Sequence, residues 1–215
     1  MMESRVISII GPDGAGKSTQ TEKLVHVMDQ RDIDCEYRWF GAKHFVSLPL
    51  LLYARLVGLS EVEELESGRK IGYHYFWRSQ LLEKLYPVLL FIDTLLIYFV
   101  QIYIPTTIFN RTLVCDRFVH DIIVRAMLSI GNDEFHQTHL GTAFLSLVPE
   151  QSLTVLLTGD TETFRSRRDD VREDKTLDRM IDLYDELAGS TEVHCIDASK
   201  SPEHIHTEIV DLLDQ

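Results

Sequence analysis

The chain has 215 residues, long enough for one well-buried α/β domain, and no Pro/Gly/Ser-rich linker or internal repeat divides it. A formal net charge of −13 excludes a broad nucleic-acid-binding surface, which needs clustered Lys and Arg. Cys35, Cys115 and Cys195 stand far apart in apolar runs; this excludes a disulfide framework or a cysteine metal pair and leaves small core residues of a reduced, cytoplasmic protein.

"MMESRVISII" passes directly into a first strand with no basic and apolar leader, so no targeting segment is expected. The next stretch, "GPDGAGKST" (11–19), fits G-x-x-x-x-G-K-[ST] with Gly11, Gly16, Lys17 and Ser18, and "STQTEKLVHVMDQ" continues it as a helix. Strand, glycine loop and helix together make a phosphate cradle. Glycines let successive backbone N–H groups converge on phosphate oxygens, and the helix adds the positive end of its dipole. Gly11, Gly14, Ala15, Gly16, Lys17, Ser18 and Thr19 are therefore the expected ATP-binding residues, with Lys17 on the β/γ-phosphates and the Ser18 hydroxyl on Mg²⁺. A carboxylate in such a loop, Asp13, is unexpected and needs a different partner.

"IDCEYRWF" (33–40) alternates and predicts a second strand ending near Arg38. "KHFVSLPLLLYARLVGLSEVEEL" (43–65) reads as an apolar helix or irregular insertion. "SGRKIGYHYFWRSQLLEKLY" (67–86) leads from a glycine-bearing loop into another helix and carries Arg78. Residues 87–109, "PVLLFIDTLLIYFVQIYIPTTIF", are nearly as apolar as a membrane span, interrupted by Asp93, Gln101 and Pro105. A buried or dimer-forming helix with Pro87 in its first turn is favoured over membrane contact.

Further on, "RTLVCDR" predicts a short buried strand ending at Asp116 and Arg117, and "FVHDIIVRAMLSIG" a helix. "SLTVLLTGD" reads as a buried strand, "TETFRSRRDDVREDKTLDRMIDLYDELAG" as helix, polar loop and helix, and "TEVHCIDASKSPEHIHTEIVDLLD" as a last strand and helix. Strands separated by helices predict a parallel sheet covered on both faces, with ligands at the carboxyl ends of the strands. The phosphate loop, Arg38, Asp116 with Arg117, "GDTE" and "DASKS" then share one rim.

At that rim Asp116 is placed to hold or orient a Mg²⁺ shell with Ser18, although a strand-terminal Asp also caps helices. Arg38, Arg78 and Arg117 lie near predicted element boundaries, and inward-facing arginines in so acidic a chain suit an acceptor that itself carries phosphate. The run "RSRRDDVRED" is either a solvated face laced with ion pairs or a mobile lid (163–176) whose arginines stabilise the charge of a phosphoryl in transfer and exclude water.

These motifs, taken in order, resemble the thymidylate kinase family of nucleoside monophosphate kinases: "GPDGAGKST" its phosphate loop, "CDRF" its Asp-Arg-aromatic motif, "RSRRDDVR" its lid and "CIDASKSPEHIHTEI" its last strand, adenine-side loop and helix. The resemblance covers residues 5–40, 110–130 and 150–213. It implies a three-layer α/β/α P-loop NTPase fold with a parallel sheet flanked by helices, ATP and Mg²⁺ as cofactors, a homodimer, and transfer of the γ-phosphoryl of ATP to dTMP. It further implies that Asp13 faces the acceptor's sugar, Arg38 and Arg117 its phosphate and Arg78 its base. The catalytic arginine comes from the lid, as Arg167 or Arg168, because Gly14 and Ala15 occupy the alternative place in the loop.

Two departures fall on the acceptor side. "DRFVHDIIVRAM" puts Asp121 and Arg125 where the family shows small hydroxyl residues and a Tyr-Gln-like pair, and residues 41–109 form a longer, more apolar insertion. Phosphotransfer is thus better supported than thymidylate as acceptor. The alternatives are a kinase for another, amphiphilic acceptor and a nucleotide-binding regulatory module without transfer.

Overall fold

Val6–Ile10 (β1) is buried at every position, as a Val/Ile run must be when helices cover both faces of a sheet. Its side chains alternate between two cores: Val6 and Ile10 join one, Ile7 and Ile9 the other. Ser8, its polar member, donates a 3.0 Å hydrogen bond to the Thr154 hydroxyl. The computed structural model describes residues 5–65, 68, 70–167 and 169–214.

In chain order, β1 leads through Lys17–Gln30 (α1) to Cys35–Trp39 (β2). Leu48–Leu56 (α2), Ser60–Glu64 (β3), Lys70–His74 (β4) and Gln80–Tyr98 (α3) follow, and α3 continues in π-type turns over Phe99–Ile108. Then come Thr112–Asp116 (β5), Val119–Ile130 (α4), His139–Leu145 (α5) and Ser152–Thr158 (β6). Thr161–Arg167 (α6), Asp169–Arg172 (α7), Leu177–Ala188 (α8), His194–Asp197 (β7) and Pro202–Leu213 (α9) complete the chain.

Five strands form one parallel sheet in the order β2-β5-β1-β6-β7. One face carries the core built with α3, α4 and α8, the other the core built with α1, α6 and α9. The three-layer α/β/α arrangement is as expected. The chain builds first on one side of β1, with β2 and β5, and then on the other, with β6 and β7. The loop after β1 therefore lies where the winding reverses, the place at which open α/β sheets bind ligands.

The insertion departs from expectation in two ways. Residues 43–65 are not one helix or an irregular segment: β3 and β4 form an antiparallel hairpin, Ser60 opposite His74 and Glu64 opposite Lys70. Pro87 is not in a first turn, because α3 begins at Gln80 and holds Pro87 in its interior. A proline there leaves the Glu83 carbonyl without its usual N–H donor, a cost that packing of the buried Leu82, Tyr86 and Leu90 must outweigh. The cysteines differ too: Cys115 is core, but Cys35 on the edge strand β2 is half-buried and Cys195 on the edge strand β7 is exposed.

Candidate functional site

The phosphate loop is shaped by contacts that exclude side chains. A Cβ on Gly11 (φ 138°) would stand 2.8 Å from the Leu157 carbonyl oxygen, so the loop leaves β1 tight against β6. Gly14 (φ 89°) lies under α6, where a Cβ would come within 3.1 Å of the Phe164 carbonyl oxygen. A side chain at that tip is disfavoured both by this contact and by the left-handed backbone. Gly16 caps α1 without any side-chain hydrogen bond. Residues Asp13 to Gln20 line a cavity of about 380 Å³ closed by Arg117, Arg167, Pro202 and Ile205. Lys17 is buried and donates to the carbonyls of Gly11 (2.8 Å) and Pro12 (2.7 Å). Burial first, and Arg117 second, pull its ammonium down to about 8 against the pull of Asp13, Asp121 and Asp116.

Beside it, the Ser18 hydroxyl donates to Asp116 Oδ2 at 2.5 Å, and Tyr37 donates to the same oxygen at 3.2 Å. Burial and the neighbouring Asp116 push the Tyr37 phenol up to about 12, so it remains a donor. The other carboxylate oxygen, Asp116 Oδ1, is buried and has no hydrogen-bond partner among the described residues. A buried carboxylate oxygen left over next to a serine hydroxyl fits Mg²⁺, a hard cation that takes one or two protein oxygens and otherwise keeps waters and phosphates. Among the described residues no three His, Cys, Asp or Glu side chains gather as a metal cage, so a self-sufficient metal centre is not what this donor set resembles.

Asp13 is the hub of the loop. Its Oδ1 accepts from Arg117 Nη2 at 2.5 Å and lies 3.7 Å from Lys17, and its Oδ2 lies 3.6 Å from Arg125. Burial raises its pKa, but Lys17, Arg117 and Arg125 together hold the carboxyl well below the usual range. Arg117 adopts φ 71°, a left-handed conformation rare for a non-glycine residue, at the end of β5. Asp121 anchors it from the other side at 3.8 Å, while also accepting from the Phe118 amide (2.8 Å) and the Tyr184 hydroxyl (2.6 Å). The departure from the family pattern at Asp121 is thus a brace between α4 and α8 that aims Arg117.

A second cavity, also about 380 Å³, opens on the other side of Asp13 and Arg117. Arg125, His44, His74 and Tyr86 are among its polar groups, and Trp39, Tyr73 and Trp77 among its aromatic walls. Gly41 sits where a Cβ would meet the Trp39 ring at 2.2 Å, so the ring lies flat over the chain at that point. Burial, with the charges of His44 and Arg125, lowers the His74 imidazole to about 4, so this wall is neutral and hydrogen-bonds through Ser60 at 2.8 Å.

The arginines expected here are not all present. Arg117 is in place, but Arg38 pairs with Glu36, which also holds Arg111, and lines neither cavity. Arg78 is exposed in the 3₁₀ turn Phe76–Arg78, with its guanidinium 4.9 Å from the Tyr75 ring centroid, and likewise lines neither. Arg125, one helical turn beyond Asp121 on α4, takes their place, and its only signal in the sequence is its departure from the family pattern.

On the lid, Arg167 reaches across the phosphate loop. It donates to the Ala15 carbonyl at 3.3 Å and to the carbonyls of Ala198 and, at 3.3 Å, Lys200. Arg168 lies outside the described residues. Arg165 pairs with Asp178 at 3.4 Å and Arg172 donates to the Arg165 carbonyl at 3.1 Å, so both belong to the lid's own framework. Asp174 and Thr176, at the end of the lid, line the second cavity, and Lys175 bonds Glu63 of β3 at 2.6 Å. The segment 163–176 thus touches both cavities, the first through Arg167 and the second through Asp174 and Thr176, whereas Ser18 and Thr19 line only the first.

No protein-family model matches the chain, and no match is found among curated proteins.

Proposed function

We propose that the protein is an ATP-dependent phosphotransferase, similar to thymidylate kinases, that moves the γ-phosphoryl of ATP to a small phosphorylated acceptor. The observation that carries this reading is the meeting of two equal cavities at Asp13 and Arg117. One is lined by a phosphate loop and the other by arginines and aromatic rings, so donor and acceptor can face each other across a single wall. A nucleoside monophosphate suits the second cavity, with dTMP to dTDP the simplest reaction.

In that reaction an oxygen of the acceptor phosphate bonds to the γ-phosphorus as the bond to the bridging oxygen breaks and ADP departs. Arg117 and Arg125 fix the acceptor's anionic group, and Asp13, kept ionised by the cations around it, orients them and accepts from an acceptor hydroxyl. Lys17 leaves the loop carbonyls for the β/γ-phosphates, and Arg167 covers the transferring group and excludes water. Ser18 and Asp116 would hold Mg²⁺, which when bound neutralises charge on the β- and γ-phosphates.

A screen of nucleoside monophosphates, deoxy forms included, by coupled ADP release tests the reading, with Asp13→Ala as control. Acceptor-dependent ADP formation that Asp13→Ala abolishes is the expected result. Nucleotide binding with no transfer to any acceptor would instead assign the chain to the regulatory class, and Arg167→Ala would then have no rate to lose.

A further inference from the structure

The long apolar segment has one face in the core and the other bare. Leu82, Tyr86, Leu90 and Ile97 are buried in the core that α3 shares with α4, whereas Leu85, Ile92, Leu96 and Val100 are exposed. Within its most apolar window the helix Gln80–Ile108 is only 33 % buried, although by length and composition it could cross a membrane. Packed beside it, α2 adds Leu52, Tyr53 and Leu56, the last 87 % exposed. Among the described residues 22 large hydrophobic side chains are exposed, and 18 of them fall within 45–57 and 81–109. The apolar exposure is therefore one ridge rather than scatter. Eighteen side chains about half exposed amount to an area on the order of 1,500 Å², several times the largest patch of an ordinary monomer.

We propose that this ridge, formed by α2 and the outer face of α3 with its π-type continuation, seats the protein on the surface of an anionic phospholipid bilayer. Three observations favour lipid over a second copy of the chain. First, charge: in a chain with 34 acids and 21 Lys and Arg, the ridge segments 45–57 and 81–109 carry two cations, Arg55 and Lys84, both exposed, and two acids. Of those acids Asp93 is fully buried and Glu83 is not fully exposed, so the ridge presents no fully exposed carboxylate to an anionic headgroup.

Second, polarity: interfaces between soluble subunits carry roughly one hydrogen bond per 100–200 Å². From Leu85 to Phe109 every exposed residue except Thr107 is a large hydrophobe, with the Tyr103 hydroxyl as the other polar group. A hydrocarbon boundary requires no such groups. Third, orientation: a helix with one face in a protein core and one face bare lies along an interface and does not span it.

The consequence concerns access to the second cavity. Tyr86 and Leu90 of α3 line it from within, and Trp39 and Trp77, each nearly half exposed, stand in its walls. A protein seated on the ridge holds that cavity beside the headgroup layer, within reach of an amphiphilic acceptor. Docking itself does not depend on the kinase reading.

The test is flotation of the purified full chain with vesicles of phosphatidylcholine and phosphatidylglycerol, set beside light scattering without lipid. Wild type is expected to float. Leu56→Glu with Val100→Glu is expected to lower vesicle partition on the order of a hundredfold. Both positions are exposed, so the circular dichroism spectrum should be unchanged. Thr142→Glu with Ser146→Glu, the same added charge at exposed positions in and just after α5, is expected to float like wild type. Wild type that stays at the bottom, or the ridge variant floating as well as wild type, overturns the proposal. So does a lipid-indifferent wild type of twice the monomer mass that the ridge substitutions split, which would assign the ridge to a second copy.

Discussion

Arg117 and Asp13 form a buried ion pair, 2.5 Å between Nη2 and Oδ1, in the wall that the two cavities share. The pair gives a carboxylate inside the glycine loop a partner: Asp13 binds Arg117, which lines both cavities, and balances Lys17 and Arg125 around it. Removing its charge leaves Arg117, among the described residues, with Asp121 alone, at 3.8 Å, and takes the carboxylate away from the buried Lys17. Asp13→Asn is expected to lower stability by about 3 kcal/mol, measured by urea unfolding at neutral pH. Excess Mg·ATP should restore part of the loss, because bound phosphate supplies the missing negative charge.

Asp116 offers one oxygen to Ser18 and Tyr37 and keeps the other buried without a partner among the described residues. Asp116→Asn preserves the shape and removes the charge. Its expected effect is a 10- to 100-fold rise in the Mg²⁺ concentration needed for half-maximal transfer. The Kd for metal-free ATP should stay within a few-fold of wild type. An unchanged Mg²⁺ dependence would remove Asp116 from the metal shell.

Acceptor affinity separates the arginines. Charge-assisted hydrogen bonds contribute about 1.5–3 kcal/mol each, so Arg125→Ala is expected to raise the acceptor KM roughly 10- to 100-fold. Arg38→Ala and Arg78→Ala are expected to change it much less, because Arg38 is engaged with Glu36, Arg78 lies over the Tyr75 ring, and neither lines a cavity. Initial rates at saturating ATP decide it, and a larger effect at Arg38 than at Arg125 would reverse the assignment.

The loop, β1, β5 and the rim were legible in the sequence because each is local: a glycine pattern after an apolar strand, and an acid at a strand end. What was not legible depends on partners far along the chain. Arg38 sits near the end of β2 as expected, but Glu36 two residues earlier shares its face of the strand and captures it. Arg125 reaches Asp13 only because α4 packs beside the loop 104–112 residues after it in sequence. The hairpin β3–β4 was hidden by the apolar residues on either side, although Glu61, Val62 and Glu63 alternate. Asp93, which interrupts the apolar segment in sequence, is fully buried and accepts from the amides of Val46 (2.7 Å) and Ser47 (3.0 Å) and from the Ser47 hydroxyl (2.5 Å). It ties the start of α2 to the middle of α3, a contact that no periodicity announces.

Removing that tie should loosen the insertion. Burial raises the Asp93 pKa, but the Ser47 hydroxyl and the backbone amides outweigh it and keep the carboxylate ionised. Asp93→Ala leaves two amides and a hydroxyl without their acceptor, and a loss of about 3 kcal/mol is expected in thermal or urea unfolding. Amide hydrogen exchange should rise first at Val46 and Ser47 and across α2, while β1 and β5 stay protected. Uniform acceleration over the whole chain would mean that Asp93 supports the core rather than the insertion.

His120 sets a pH dependence with a definite sign. It is buried in α4, its Nδ1 has no hydrogen-bond partner among the described residues, and burial lowers its pKa from 6.5 to about 4. Between those two values the unfolded chain binds a proton that the folded chain refuses. Stability therefore falls as pH drops through 6.5 and continues to fall until about 4, a loss of up to about 3 kcal/mol from this one ring. Above 6.5 both forms are neutral and the contribution is flat. His74, lowered to about 4 by burial, His44 and Arg125, adds in the same direction. Asp13, held below 3.8, acts only in stronger acid, since its stabilisation is lost as pH falls from the unfolded value through the folded one. His120→Gln removes the ring without adding charge. Urea unfolding of wild type and variant at intervals from pH 7.5 to 4.5 should give two curves parallel above pH 6.5 and converging or crossing below it. Curves that stay parallel throughout would mean that the folded chain takes up a proton at His120 as readily as the unfolded chain does.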